Sequence, residues 1–191
     1  AWGDKVRVGQ DYASPLQLKG SYQKGITYLD ELLYHHFKVS LKLEEKPLSY
    51  FIHDFRVQGD DAFYMDLSGT YCKLFNSFQS HIHKLYCNIE RVKKLLPDLN
   101  DSFLKDSFGK LDFKGQIEGG FFKGEWKYLL DLKGKAKELK VSEFQFEESP
   151  MHFKIESAPK GFRLAYFEGA FQSIFNQPLP LQFRGANLDF Q

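Results

Sequence analysis

Phe37-Lys38-Val39-Ser40-Leu41-Lys42-Leu43-Glu44 alternates apolar and polar residues without a break. Successive side chains of an extended chain point to opposite faces, so this stretch reads as a strand with one dry and one wet face. The same period runs through Trp126, Tyr128, Leu130, Leu132, Gly134 and Ala136, set against Glu125, Lys127, Asp131, Lys133 and Lys135. Only Leu129 interrupts the polar side there. Shorter versions are expected at Leu16 to Tyr22, Phe51 to Val57, Phe63 to Leu67, Leu111 to Ile117, Met151 to Ile155 and Leu179 to Phe183. Aromatic and β-branched residues fill many of these runs, as pleated surfaces prefer. Pro47, Pro150, Pro159, Pro178 and Pro180 punctuate them at their ends.

Aligned on a glycine, the strands share a unit of apolar, polar, apolar, polar, Gly. It occurs at Leu16-Gln-Leu18-Lys-Gly20, Phe55-Arg-Val57-Gln-Gly59, Met65-Asp-Leu67-Ser-Gly69, Leu111-Asp-Phe113-Lys-Gly115, Leu130-Asp-Leu132-Lys-Gly134 and Leu181-Gln-Phe183-Arg-Gly185. Each glycine continues the apolar register, so each is expected to leave bare backbone on the buried face or to allow a bend there. The spacing between units is irregular, which sets aside a fixed-period solenoid. One segment leaves the β period: Ile89, Val92, Leu95 and Leu96 recur at helical spacing, with Lys93 and Lys94 near the end and Pro97 as a stop. A short helix is expected near 89–97, followed by a connection over Asp98 to Phe108 with a further helical turn around Phe103 and Leu104.

A chain of 191 residues, 42% hydrophobic and 27% charged, has the balance of one globular domain, and no stretch resembles an interdomain linker. Its 26 basic residues against 25 acidic ones leave a net charge of +1. Neither nucleic acid nor an acidic membrane surface is favoured as a partner by that net charge. No apolar run approaches the roughly 20 residues of a transmembrane helix. The chain opens on Ala1-Trp2-Gly3-Asp4, without an initiator Met or a signal peptide, and is read as a segment of a larger polypeptide.

These signals predict a mainly β fold over residues 1–191: an elongated, curled antiparallel sheet with one short helix. About ten strands at roughly 4.8 Å each make a sheet about 50 Å long, which an open twisted sheet rarely tolerates without curling. Barrel, sandwich and open groove all satisfy that pattern.

Signals for an enzyme are weak. No nucleophile elbow or dinucleotide fingerprint is present, and the glycine-rich run Gly115 to Gly124 lacks the Lys-Ser/Thr ending of a phosphate loop. Phe121 and Phe122, flanked by Gly119, Gly120 and Gly124, suggest a hairpin loop with exposed aromatics or an aromatic plug. His81 and His83 share a strand face at a spacing that suits zinc or copper, but no third ligand follows from sequence, and polar-face histidines are the plainer reading. His35 and His36 would diverge on a strand, and His53 and His152 stand alone. Glu44-Glu45, Asp60-Asp61 and Glu147-Glu148 lie at strand ends and read as solvated loops. Cys72 and Cys87 have no metal-binding spacing, and a hairpin turning near Asn76 would place Cys72 beside Phe78, several residues short of Cys87. No catalytic, metal or cofactor site is expected, and the apolar stripe is the feature with functional potential.

The amphipathic strands ending in apolar-x-apolar-x-Gly, then Phe78 to Leu85, then Val92-Lys-Lys-Leu95-Leu96-Pro97-Asp-Leu99, resemble repeats of the translocation and assembly module family, TamB, and its AsmA-like relatives. Leu111-Asp-Phe113-Lys-Gly115-Gln-Ile117-Glu-Gly119 follows where that family opens a new strand, and Tyr128 to Gly134 continues it. The resemblance covers most of Leu16 to Phe190 and departs at Ile89-Glu90-Arg91, where the family usually has Asp-Leu. It implies a taco-shaped β half-pipe with a hydrophobic interior, in a periplasmic protein tethered to the inner membrane through a part outside this chain. Such proteins are implicated in phospholipid transport between membranes and in outer-membrane biogenesis and protein translocation, with a barrel-assembly protein as a partner. On this reading acyl chains lie along Leu16, Leu18, Phe37, Val39, Leu41, Phe55, Val57, Met65, Leu67, Leu111, Phe113, Trp126, Tyr128, Leu130 and Leu132, and Asp at Leu130 and Phe113 is expected to abolish lipid copurification. The alternatives are a lipocalin-like or sandwich module for one small apolar ligand, and a structural or chaperone domain that offers a sheet edge to client outer-membrane proteins.

Overall fold

The computed structural model describes residues 2–3, 6–8, 11–13, 16–34, 36–96, 106–141, 144–158, 161–174 and 177–190. The strands are β1 (Trp2–Gly3), β2 (Val6–Val8), β3 (Asp11–Ala13), β4 (Leu16–Gln23), β5 (Ile26–Tyr34), β6 (Phe37–Lys46), β7 (Ser49–Gly59), β8 (Phe63–Cys72) and β9 (Ser77–Asn88). After helix α1 (Ile89–Leu95) come β10 (Phe108–Phe122), β11 (Glu125–Val141), β12 (Phe144–Phe146), β13 (Pro150–Ala158), β14 (Gly161–Ile174) and β15 (Gln177–Phe190). Strands β2 and β3 pair with each other, and the other 13 strands form one antiparallel sheet.

From β4 to β11 each strand lies beside its chain neighbour, so the sheet is a meander of hairpins. Strands β12 and β13 both pair with β11, and the register Val141 with Phe144, Lys140 with Gln145 and Lys135 with Pro150 is continuous across both. They are two stretches of one line, interrupted at 147–149. Strand β14 pairs with both and β15 closes the series, with β14 as its neighbour. The sheet is open: among the described residues no pairing joins β15 to β1 or β4.

Glycines of the repeated unit explain how this sheet curls. A Cβ on Gly115 would run into the Asp131 carbonyl of the next strand, and one on Gly134 would meet the Asp112 carbonyl and, at 2.6 Å, Cδ1 of Phe113. Without a Cβ, neighbouring backbones approach on the inner face, and the Phe113 ring crosses Gly134 to reach Phe153 at 4.7 Å between centroids. The inner face of β9–β14 is thereby drawn together into a cluster containing Ile82, Phe113, Leu132, Ala136, Leu139, Met151 and Phe167.

Helix α1 spans 89–95, two residues shorter than the expected 89–97. The Asn88 side chain accepts from the Arg91 N–H at 3.3 Å, Glu90 sits in the first turn and Lys93 and Lys94 in the last, each matching the helix dipole. Ile89 enters the core, whereas Leu96, expected on the buried stripe, is the C-cap and exposed. Phe108 opens β10 instead of closing the preceding connection, and the turn expected at Phe103 and Leu104 lies outside the described residues. Glu44 and Glu45 also depart from expectation. They lie within β6, where Glu44 pairs with His53 at 2.9 Å and Glu45 with Lys73 at 2.6 Å, while Asp60 and Asp61 do occupy a turn.

Candidate hydrophobic groove

Cross-strand register assembles the inner face row by row. One row runs Leu18, Leu32, Val39, Val57, Met65, Leu85, Phe113, Gly134, Met151. The next runs Leu29, Leu41, Phe55, Leu67, Ile82, Gly115, Leu132, Phe153, Phe167. Flanking rows hold Phe37, Gly59, Phe63, Cys87, Leu111 and Ala136 on one side, and Leu43, Ile52, Gly69, Ser80, Ile117, Leu130 and Ile155 on the other. Beyond these come Tyr50, Tyr71, Phe78, Gly119 and Tyr128, with Trp126 at the hairpin tip against Phe78 and Phe121. The strands thus bring Leu18, Phe37, Val39, Leu41, Phe55, Val57, Met65, Leu67, Leu111, Phe113, Trp126, Tyr128, Leu130 and Leu132 to one face. Leu16 pairs with Gly3, and its side chain is outside the described residues.

This face has two regimes. Over β6–β8, Val39, Leu41, Phe55, Val57 and Met65 are half-buried, and among the described residues no second layer is packed over them; Leu67, also half-buried, packs against the neighbouring core. Over β9–β14 the face is packed: Phe113 is 3% exposed, Leu132 5% and Met151 3%. Phe113 and Leu130 therefore belong to or against the packed cluster. Aspartate there would disrupt folding before it reported on a ligand, so Val57 and Leu41 are the positions that test the open part.

Sequence reasoning named no role for Leu29, Leu32, Leu43, Ile52, Leu85, Ile117 or Phe153, yet register places them in the same rows. Their alternation was the available signal. Helix α1 covers the face at one lip, where Leu95 lies beside Phe37 over Gly59.

The outer face is polar. Asp131 on β11 meets His152 at 2.8 Å and Lys154 at 3.0 Å on β13. Burial works to raise the Asp131 carboxyl, but hydrogen bonds and charge from Lys154 and His152 outweigh it and hold the pKa below the usual aspartate value. Beside it a shallow depression of about 430 Å³ is lined by His81, His83, Lys114, Gln116, Asp131 and Lys133. His81 and His83 share this face with ring centroids 6.2 Å apart, and Nε2 of His83 lies 2.8 Å from the Ser68 hydroxyl. Among the described residues no three metal-binding side chains converge. Cys72 and Cys87 are free: Cys72 pairs with Ser77 at the turn end of the β8–β9 hairpin and Cys87 with Phe63 at the other end. Burial pushes the Cys87 thiol pKa up.

No protein-family model, curated protein or solved structure matches the chain.

Proposed function

We propose that this chain is a periplasmic segment of a TamB/AsmA-like protein, in which the inner face of the sheet carries phospholipid acyl chains between membranes. The supporting observation is the uncovered apolar face of β6–β8. Val39, Leu41, Phe55, Val57 and Met65 stand side by side, half-buried, with no covering layer among the described residues. Each methylene withdrawn from water contributes roughly 0.8 kcal/mol, enough to hold a chain that still slides along a row of similar contacts. Headgroups remain outside, and no catalytic residue takes part. A sheet of about 50 Å is shorter than the gap between two membranes, which suits one segment of a longer conduit.

Native mass spectrometry with lipid extraction, on protein purified from a diderm host, tests this reading. Several phospholipid species at variable stoichiometry are expected. One defined ligand at fixed stoichiometry would favour the small-ligand module, and a lipid-free mass would overturn the groove.

A second reading rests on the far edge of the sheet. Strand β15 is 14 residues long and pairs with β14, with Pro178 and Pro180 near its start, as edge strands permit. The prolines remove two donors at its start, and the remaining stretch from Leu181 to Phe190 is the part that suits addition of a further strand, from the next segment or from an outer-membrane client.

A further inference from the structure

The hairpin tips along one lip of the sheet form a continuous row. The Glu45 N–H donates to the Gly25 carbonyl at 3.0 Å, Lys73 to Leu48 at 2.9 Å and Phe121 to Asn76 at 2.9 Å, which ties four successive tips side by side. Among the described residues every large apolar side chain more than half exposed lies on this row: Tyr22 68%, Leu48 62%, Leu74 65%, Phe75 67%, Phe122 52% and Trp126 55%. Lysines interleave with them, namely Lys24, Lys46, Lys73, Lys123 and Lys127, against Glu44, paired with Lys46 at 3.4 Å, Glu45, paired with Lys73, and Glu125, which leaves Lys24, Lys123 and Lys127 as the cations beyond these two pairs. The opposite lip has different chemistry, with a His36–Asp60 pair at 3.4 Å, an Arg91–Asp61 pair and the helix. The chain's net charge of +1 conceals this local distribution.

We propose that this row of tips is a membrane-docking lip that inserts its aromatic and leucine side chains into the headgroup–acyl boundary of an anionic phospholipid bilayer. Trp, Phe and Leu with neighbouring Lys is the composition such a boundary selects: rings enter the interface while ammonium groups meet anionic headgroups. A protein interface core is depleted in Lys, whereas along this row lysines alternate with the apolar side chains of the tips. Their turns also offer no unpaired ladder to a partner strand: Lys24-Gly25 and Lys123-Gly124 are tight two-residue turns with positive φ. Docking does not require lipid in the groove, so the inference stands or falls apart from the function proposed above.

The test is flotation of the full chain with vesicles of phosphatidylethanolamine and phosphatidylglycerol, together with Trp126 fluorescence in a W2F background and vesicles carrying brominated acyl chains. Flotation, a blue shift of Trp126 emission and quenching by brominated lipid are expected. The L74S/F75S and F121S/F122S pairs change exposed positions, and each is expected to weaken partitioning roughly tenfold or more, with the fold and any copurified lipid retained. V57D, inside the groove, should float as the parent does and show the same Trp126 quenching, because Trp126 also borders the groove face and only insertion of the lip survives loss of groove lipid. Absence of flotation in the parent, or unquenched Trp126, overturns the proposal. So does a concentration-dependent dimer that vanishes with the same tip substitutions, which would assign the row to contacts between copies.

Discussion

Strands β6–β8 and β9–β14 carry the same alternation and the same apolar-x-apolar-x-Gly unit, yet the first leaves its apolar face half-buried and the second buries Ile82, Phe113, Leu132, Ala136, Met151 and Phe167 among partly buried neighbours. The difference lies in what stands opposite each large side chain. Phe113 and Leu132 alternate across the strands with Gly134 and Gly115, so rings fold over bare backbone and the sheet tightens. Val39, Val57 and Met65, by contrast, oppose one another directly, as do Leu41, Phe55 and Leu67. In these two rows bulk faces bulk, and glycine enters β6–β8 only in the flanking rows, at Gly59 and Gly69. The two central rows thus differ in whether glycine or bulk stands opposite each large side chain.

That contrast is open to direct attack, beginning with its largest consequence. Phe113→Ala should cost about 3–5 kcal/mol in urea unfolding, because its cavity is enclosed, whereas Phe55→Ala in the open half should cost only about 1–2 kcal/mol. Equal losses would erase the distinction between the two regimes. Gly134→Ala should destabilise by about 1–3 kcal/mol through overpacking against Phe113, with the same assay as readout. Val57→Asp sharpens the comparison from the other side: the protein should stay folded by circular dichroism and lose copurified lipid, while Leu132→Asp should fail to fold. The smallest effect concerns the outer clip between β11 and β13. Because the Asp131 pKa is lowered on folding, its contribution is present at neutral pH and disappears as pH falls through and below about 4. Asp131→Asn should cost below about 1 kcal/mol at pH 7 and flatten the acid side of a melting-temperature profile.

Much of this fold was legible because period two needs only a one-dimensional reading. Phe37 to Glu44 and Trp126 to Ala136 fall in β6 and β11, and the glycine of each unit indeed occupies the inner register. The helix was legible from Ile89, Val92 and Leu95. Strands β1–β3 carry too few alternations to register. The interruption at 147–149 escaped notice because Glu147-Glu148-Ser149 resembles any polar loop, and only pairing shows β12 and β13 to be collinear. A β9 bulge turns both His83 and Lys84 outward, and no local residue signals it. Nor did sequence separate the open wall from the packed core: Val57 and Phe113 have the same local pattern, and their burial is decided by residues on other strands. The lip was half visible, since Phe121 and Phe122 were expected at a hairpin tip, but its alignment with Leu48, Leu74 and Phe75 depends on three-dimensional register.

The meander has a consequence for how the molecule is made. Because successive strands are nearly all chain neighbours, few contacts wait on distant sequence, and the loop-closure entropy of each step is small. Strand formation can proceed like a zip as the chain emerges from a ribosome, each finished hairpin templating the next. Such an architecture also lengthens by insertion of a hairpin pair without re-registering what is already built, so its span becomes a quantity that duplication within the coding sequence adjusts.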